Sequence, residues 1–102
     1  MRTTTRVPGQ YRPLSDVEVR AGLAHLPGWH GDCRRIARTV NPRDLWSLLE
    51  RIAAVEEDLD HHTVVDLDAG TVTFAVWTHD RDCVTPTDLE LAGRINELIA
   101  ES

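Results

Sequence analysis

Residues 56–62 read Glu56-Glu57-Asp58-Leu59-Asp60-His61-His62, four carboxylates running into two adjacent imidazoles. Imidazole titrates near neutrality, so a pair can give and take protons within one turnover, while neighbouring carboxylates fix their tautomers. Glu57 precedes His61 by four residues, and a helix continuing that far would put both on one face and allow a hydrogen bond between them. His79 closes a β-branched run from Thr71 to Thr78, and the period of two sets it on the face of Thr73, Ala75 and Trp77. Asp88 stands three residues after Thr85, where a capping-box carboxylate belongs, so its first expected role is structural. The chemistry these types offer is proton transfer. Two other readings stay open: a solvated acidic helix end carrying surface histidines, and a metal site built from Asp60, His61, His62 and His79. Adjacent residues on extended chain point to opposite faces and do not easily share one ion, so no metal is expected.

Composition removes other classes. All eleven basic residues are Arg, which excludes a Schiff-base lysine and a P-loop lysine. A formal charge of −6 is wrong for a protein that binds phosphate backbones over a broad surface, so no nucleic acid is expected. Cys33 and Cys83 stand far apart with no C-x-x-C pairing and read as free thiols. No stretch approaches a membrane span, and Met1-Arg2-Thr3-Thr4-Thr5-Arg6 has no apolar run after it; a cytoplasmic location is the expectation.

The elements that must position these residues follow from periodicity and punctuation. Residues 1–14 carry Arg2, Arg6, Arg12, Pro8, Gly9 and Pro13 without apolar period and read as a flexible arm, leaving a domain over 15–102. Ser15-Asp16-Val17-Glu18 is a capping box opening a helix over 16–26, which Pro27-Gly28 ends. Trp29-His30, a turn at Gly31-Asp32, and Arg34 to Val40 suggest a hairpin, with Ile36 and Val40 on one face and Ala37 and Thr39 on the other. Asn41 as N-cap with Pro42 at the first helical position predicts a second helix, whose stripe is Leu45, Leu48, Ile52, Val55 and Leu59. Val64–Leu67 and Thr71–Thr78, joined by Asp68-Ala69-Gly70, make a second hairpin. Thr85-Pro86-Thr87-Asp88 opens a last helix bearing Leu89, Ala92, Ile95, Leu98 and Ile99. The order is α-ββ-α-ββ-α, an α+β fold in which an antiparallel sheet takes its helices on one face. A domain this small has a modest core, and apolar residues on several flanks of the last helix, including Leu91, point to a homodimer or homotetramer.

Taken together, Leu26-Pro27-Gly28-Trp29, Ala54-Val55-Glu56-Glu57 leading to Asp60-His61-His62, Thr71-Val72-Thr73-Phe74, Thr78-His79 and Thr85-Pro86-Thr87-Asp88-Leu89-Glu90-Leu91-Ala92 resemble the pterin-4a-carbinolamine dehydratase family over about residues 15–100. The resemblance implies a four-stranded antiparallel sheet with three helices on one face. It further implies dehydration of 4a-hydroxytetrahydropterin to quinonoid dihydropterin, the recycling step after aromatic amino-acid hydroxylation, with a small-molecule pterin as partner and neither metal nor organic cofactor. By position, His61, His62 and His79 would be the catalytic imidazoles, and Glu57 and Asp88 the supporting carboxylates.

The chain also departs from the family's pattern. Thr63 stands where a Pro usually follows the paired histidines, which frees φ and restores a backbone N–H, so reinstating Pro is expected to preserve or improve the site. Val64, Val65 and Ala69 replace aromatic residues, and Asp80-Arg81-Asp82-Cys83 follows Thr-His where a Gly is usual. A pterin needs a flat, partly apolar slot. Two alternatives therefore accompany the dehydratase: the same fold acting on another substrate, and a non-enzymatic binding or dimerisation module, since one relative of the family serves as a dimerisation cofactor for a transcription factor.

Overall fold

The structure, a computed structural model, describes residues 9–101. Residues 1–8 of the expected arm lie outside the described residues. Residues 9–14 pack on the domain: Leu14 is buried, its N–H donates to Val84 O at 3.0 Å, and Gln10 O accepts from Thr87 N at 3.1 Å.

The capping box forms as read, with Ser15 Oγ accepting from Glu18 N and Glu18 Oε1 accepting from Ser15 N, and it opens α1 at Asp16–Leu23. The helix is shorter than the expected 16–26. His25 and Leu26 donate back three residues, to Gly22 O and Leu23 O, so the chain tightens out of α-helix before Gly28 turns it at φ +86°. The first hairpin is also shorter, with β1 only His30–Gly31 and β2 Ile36–Val40. Gly31 is irreplaceable here, because at φ +140° a Cβ would sit 2.2 Å from Arg35 O.

α2 spans Leu45–Leu59, and its N-cap is Asp44, whose side chain accepts from Ser47 N at 3.1 Å. The expected cap at Asn41 with Pro42 at the first helical position is not adopted, since Asp44 satisfies the orphan amide three residues later and leaves 41–44 as connection. β3 is Val64–Asp68 and β4 Thr71–Val76, joined through Ala69 and Gly70, both at positive φ. α3 spans Pro86–Glu101.

The sheet runs β1-β2-β4-β3, antiparallel throughout, so the two hairpins join through β2 and β4. The register sets Ile36 opposite Val76 and Val40 opposite Val72, all facing the helices. Val72, Phe74 and Val76 are buried there with Val19, Leu48, Ile52, Leu91 and Ile95 of the three helices, giving one core in an α+β fold of order α-ββ-α-ββ-α. The opposite face carries Ala37, Thr39, Thr73 and Ala75, with Thr39 and Thr73 hydroxyls hydrogen-bonded across the strands at 2.7 Å. β3 is an edge strand exposed along its whole length. Among the described residues no helix is long and apolar enough to cross a membrane.

Candidate active site

The end of α2 decides where the paired histidines go. Asp60 adopts a left-handed conformation, φ 52° and ψ 49°, and its N–H bonds Glu56 O and Glu57 O, closing the helix one residue before His61. The helical relation between Glu57 and His61 is thereby lost. Glu57 is exposed, and the anticipated Glu57–His61 hydrogen bond is not made. His61 instead turns inward, and its Nε2 lies 2.5 Å from Asp88 Oδ1 on the first turn of α3.

Asp88 has no solvent exposure. Its Oδ2 accepts from Thr85 N at 2.9 Å, the capping contact expected of it, and from Thr78 Oγ1 at 2.8 Å. Thr78 thus donates to Asp88, and Thr85 Oγ1, 2.7 Å from Thr78 Oγ1 and 3.3 Å from Asp88 Oδ2, donates to one of the two. One oxygen of Asp88 serves the helix cap and the other contacts His61, so the cap and the imidazole contact meet in one side chain. A carboxylate only accepts, so Nε2 of His61 carries the hydrogen of this contact, and Nδ1 holds a lone pair in the neutral ring and a second hydrogen in the imidazolium, the form able to donate.

His79 reaches the same place from β4. Thr78 pairs with Cys83 in an isolated antiparallel bridge, and residues between them turn tightly, with Arg81 N on Thr78 O and Asp82 N on His79 O. The His79 imidazole stacks on Trp77, with centroids 4.2 Å apart and planes at 9°. The Arg35 guanidinium lies 4.5 Å from the same indole and must take its other face. His61, His62 and His79 all line one cavity of about 310 Å³, together with Tyr11, Asp60 and Thr78. His61 forms its buried part, while His62 and His79 are exposed. Glu57 does not line it. Among the described residues no group of three or more His, Cys, Asp or Glu is placed to hold a metal ion.

Two contributors escaped the sequence reading. Glu56 is the carboxylate that holds the histidine turn: its main-chain O accepts from Asp60 N and His61 N, and its Oε2 accepts from Thr63 N at 2.5 Å. The N–H that Thr63 restores thus has a dedicated partner. The other is Tyr11, whose ring centroid lies 6.2 Å from that of His61. An acidic residue two turns before Thr63 could have signalled the first, whereas nothing local signals the second.

Residues 12–98 match the family model described as pterin 4 alpha carbinolamine dehydratase. A protein of Streptomyces coelicolor described as a candidate pterin-4-alpha-carbinolamine dehydratase is 40% identical over 92 residues, covering 86% of this chain and 91% of its own length. One of Mycolicibacterium smegmatis, described in the same way, is 35% identical and is covered over 97% of its length. The crystal structure of a transcriptional coactivator/pterin dehydratase from Brucella melitensis superposes with a TM-score of 0.79 at 25% identity, covering 86% of this chain and 99% of that one.

Proposed function

The chain belongs to the pterin 4 alpha carbinolamine dehydratase family, and from that premise we propose that it dehydrates 4a-hydroxytetrahydropterin to quinonoid dihydropterin by histidine acid/base catalysis. The C4a–O bond breaks as its oxygen takes a proton and leaves as water. The lone pair of the adjacent ring nitrogen forms the C=N bond, and a base removes that nitrogen's proton. His61 and His79 are the alternative donors to the leaving hydroxyl, and His62 is the pterin-contacting or base residue. Asp88 is the supporting carboxylate. Glu57, exposed and away from the cavity, has no part in this reading.

The observation that carries the proposal is the convergence of the three imidazoles on one cavity of about 310 Å³, with His61 backed by a fully buried carboxylate. A cavity of that size is at the lower end of the range for small-molecule sites. The proposed reaction draws on no metal or organic cofactor, takes place in the cytoplasm, and resides in a single domain over 15–102 against which residues 9–14 pack. Turnover of chemically generated 4a-hydroxytetrahydropterin above the buffer rate is the expected result. A wild-type rate equal to buffer would reject the assignment in favour of another substrate for the same fold.

Self-association into a dimer or tetramer belongs to the same proposal, but its support is not where the sequence put it. On α3, Leu91 is buried and Leu89, Leu98 and Ile99 pack against the core. Among the described residues the exposed large apolar side chains are Val64, Val65 and Leu67 on the edge strand β3, along with Val17 and Trp46. Light scattering that reports a monomer at micromolar concentration would reject association.

A further inference from the structure

We propose that Tyr11 is the aromatic wall of the cavity and sets its preference for a flat bicyclic heterocycle, a substrate-contacting residue contributed by the segment that leads into α1. The inference rests on the dehydratase reading and deepens it. The matched family region begins at Arg12, one residue after Tyr11. Every other residue lining the cavity is polar or charged, including the three imidazoles, so Tyr11 supplies its one phenyl-type surface. A centroid separation of 6.2 Å and a tilt of 31° set the phenol ring beside His61 without closing over it. The chain lacks the aromatic residues expected after His62, where Val64 and Val65 stand exposed on β3. A pterin bound here would meet its flat apolar contact at Tyr11.

The segment is built to hold that ring in place. Arg12 N closes a turn on Gly9 O at 3.0 Å. Gln10 O accepts from both Thr87 N at 3.1 Å and Thr87 Oγ1 at 2.8 Å. On the other side, Leu14 N donates to Val84 O, the Leu14 side chain is buried, and Arg12 pairs with Glu18 at 3.0 Å. Tyr11 is therefore pinned between two anchors, one of them Thr87, the neighbour of Asp88. The segment that carries the ring is anchored through Gln10 O to the same turn of α3 that bears the carboxylate orienting His61.

The test compares wild type with Tyr11→Ala, Tyr11→Leu and Tyr11→Phe in steady-state dehydration of 4a-hydroxytetrahydropterin and in equilibrium binding of 7,8-dihydropterin, with thermal melts alongside. Tyr11→Ala and Tyr11→Leu are expected to raise KM and Kd about 5- to 10-fold with kcat within about 2-fold, and Tyr11→Phe to behave as wild type, the scale of one aromatic contact. Unchanged KM and Kd in Tyr11→Ala while wild type turns over would overturn the wall and leave the dehydratase reading standing. So would a fall in kcat and melting temperature without a change in KM, which would make residues 9–14 a structural strap, or a Tyr11→Phe enzyme as impaired as Tyr11→Ala, which would assign the effect to the hydroxyl. A wild type that neither binds 7,8-dihydropterin nor turns over would remove the dehydratase reading and the wall together.

Discussion

Ser15-Asp16-Val17-Glu18 and Thr85-Pro86-Thr87-Asp88 are written in the same four-residue grammar, a hydroxyl residue followed three places later by a carboxylate, and the fold uses them differently. At α1 the device is local. Glu18 accepts from Ser15 N at 3.0 Å, pairs with Arg12 and remains exposed, so its bonds serve the start of one helix and the segment just before it. At α3 the carboxylate is at zero exposure, beneath the bridge between Thr78 and Cys83. It caps the helix with Oδ2 and reaches 27 residues back in sequence to His61 with Oδ1. A cap becomes part of a site when burial denies water to its second oxygen and a distant imidazole takes that place. Neither condition is written in the four residues themselves.

The sharpest way to break this comparison is to remove both carboxylates in turn. Asp88→Asn and His61→Ala should each lower turnover by about 10²-fold or more, because the first unsettles the tautomer and the second removes the imidazole. Asp88→Ala should also cost about 2–4 kcal/mol of stability, since Thr85 N–H and the Thr78 hydroxyl lose a buried acceptor. Glu18→Ala, which removes an exposed cap and an exposed pair with Arg12, should change both turnover and a urea melt far less. Equal effects of Asp88→Ala and Glu18→Ala on both readouts would show that burial makes no difference between the two caps.

A smaller effect is expected at the turn between Glu56 and Thr63. Thr63→Pro removes the N–H that Glu56 Oε2 accepts and leaves a partly buried carboxylate without that partner, at about 1–3 kcal/mol and roughly a 10-fold loss of turnover. This reverses the expectation drawn from sequence, in which a proline there was harmless or helpful. Glu56→Ala combined with Thr63→Pro should be milder than Thr63→Pro alone, because the stranded carboxylate goes too. A double variant worse than the sum of the singles would sink the clip. Trp77→Ala comes next. Loss of the surface on which His79 stacks should lower kcat about 3- to 10-fold, and Trp77→Phe, which keeps a ring there, should recover most of it.

What was legible in the sequence tracks how local its cause is. The alternation of Val72, Phe74 and Val76 with Thr73 and Ala75 gave β4 its faces, and the stripe Leu48, Ile52, Val55 gave α2 its buried side, because each period answers to one neighbouring layer. The three imidazoles could be picked out because residue type and strand or helix ends suffice to nominate them. The carboxylate partner of His61 could not be read from spacing. A spacing of four pointed to Glu57, but one left-handed residue, Asp60, cancelled the helical geometry on which that spacing depends. The cap of α2 was misplaced because Asn41-Pro42 and Asp44 are both acceptable starts by residue type, and the fold takes Asp44, whose side chain accepts from Ser47 N. Tyr11 was lost in a segment without period, whose position depends on Thr87 and Val84 more than seventy residues away.

The mildest prediction isolates the α1 cap through pH. Cys33 N–H, donating to Asp16 at 3.0 Å, holds that carboxyl below its ordinary 3.8, and Ser15 N–H, followed by Arg12, holds Glu18 below its ordinary 4.5. A folded-state value lower than the unfolded one means that the unfolded chain binds protons first, so the contribution is complete above the ordinary values and fades as pH falls through the folded ones. Urea unfolding should therefore show stability declining with acid below about 4.5, and Asp16→Asn with Glu18→Gln should flatten that part of the slope while turnover near neutral pH stays at wild type. Both groups are exposed, so the change will be small, and added salt should reduce the Arg12 share of it. An unchanged slope in the double variant would mean that these bonds do not persist in solution. The contrast with Asp88 would then lie between a carboxylate fixed by burial and one left to water.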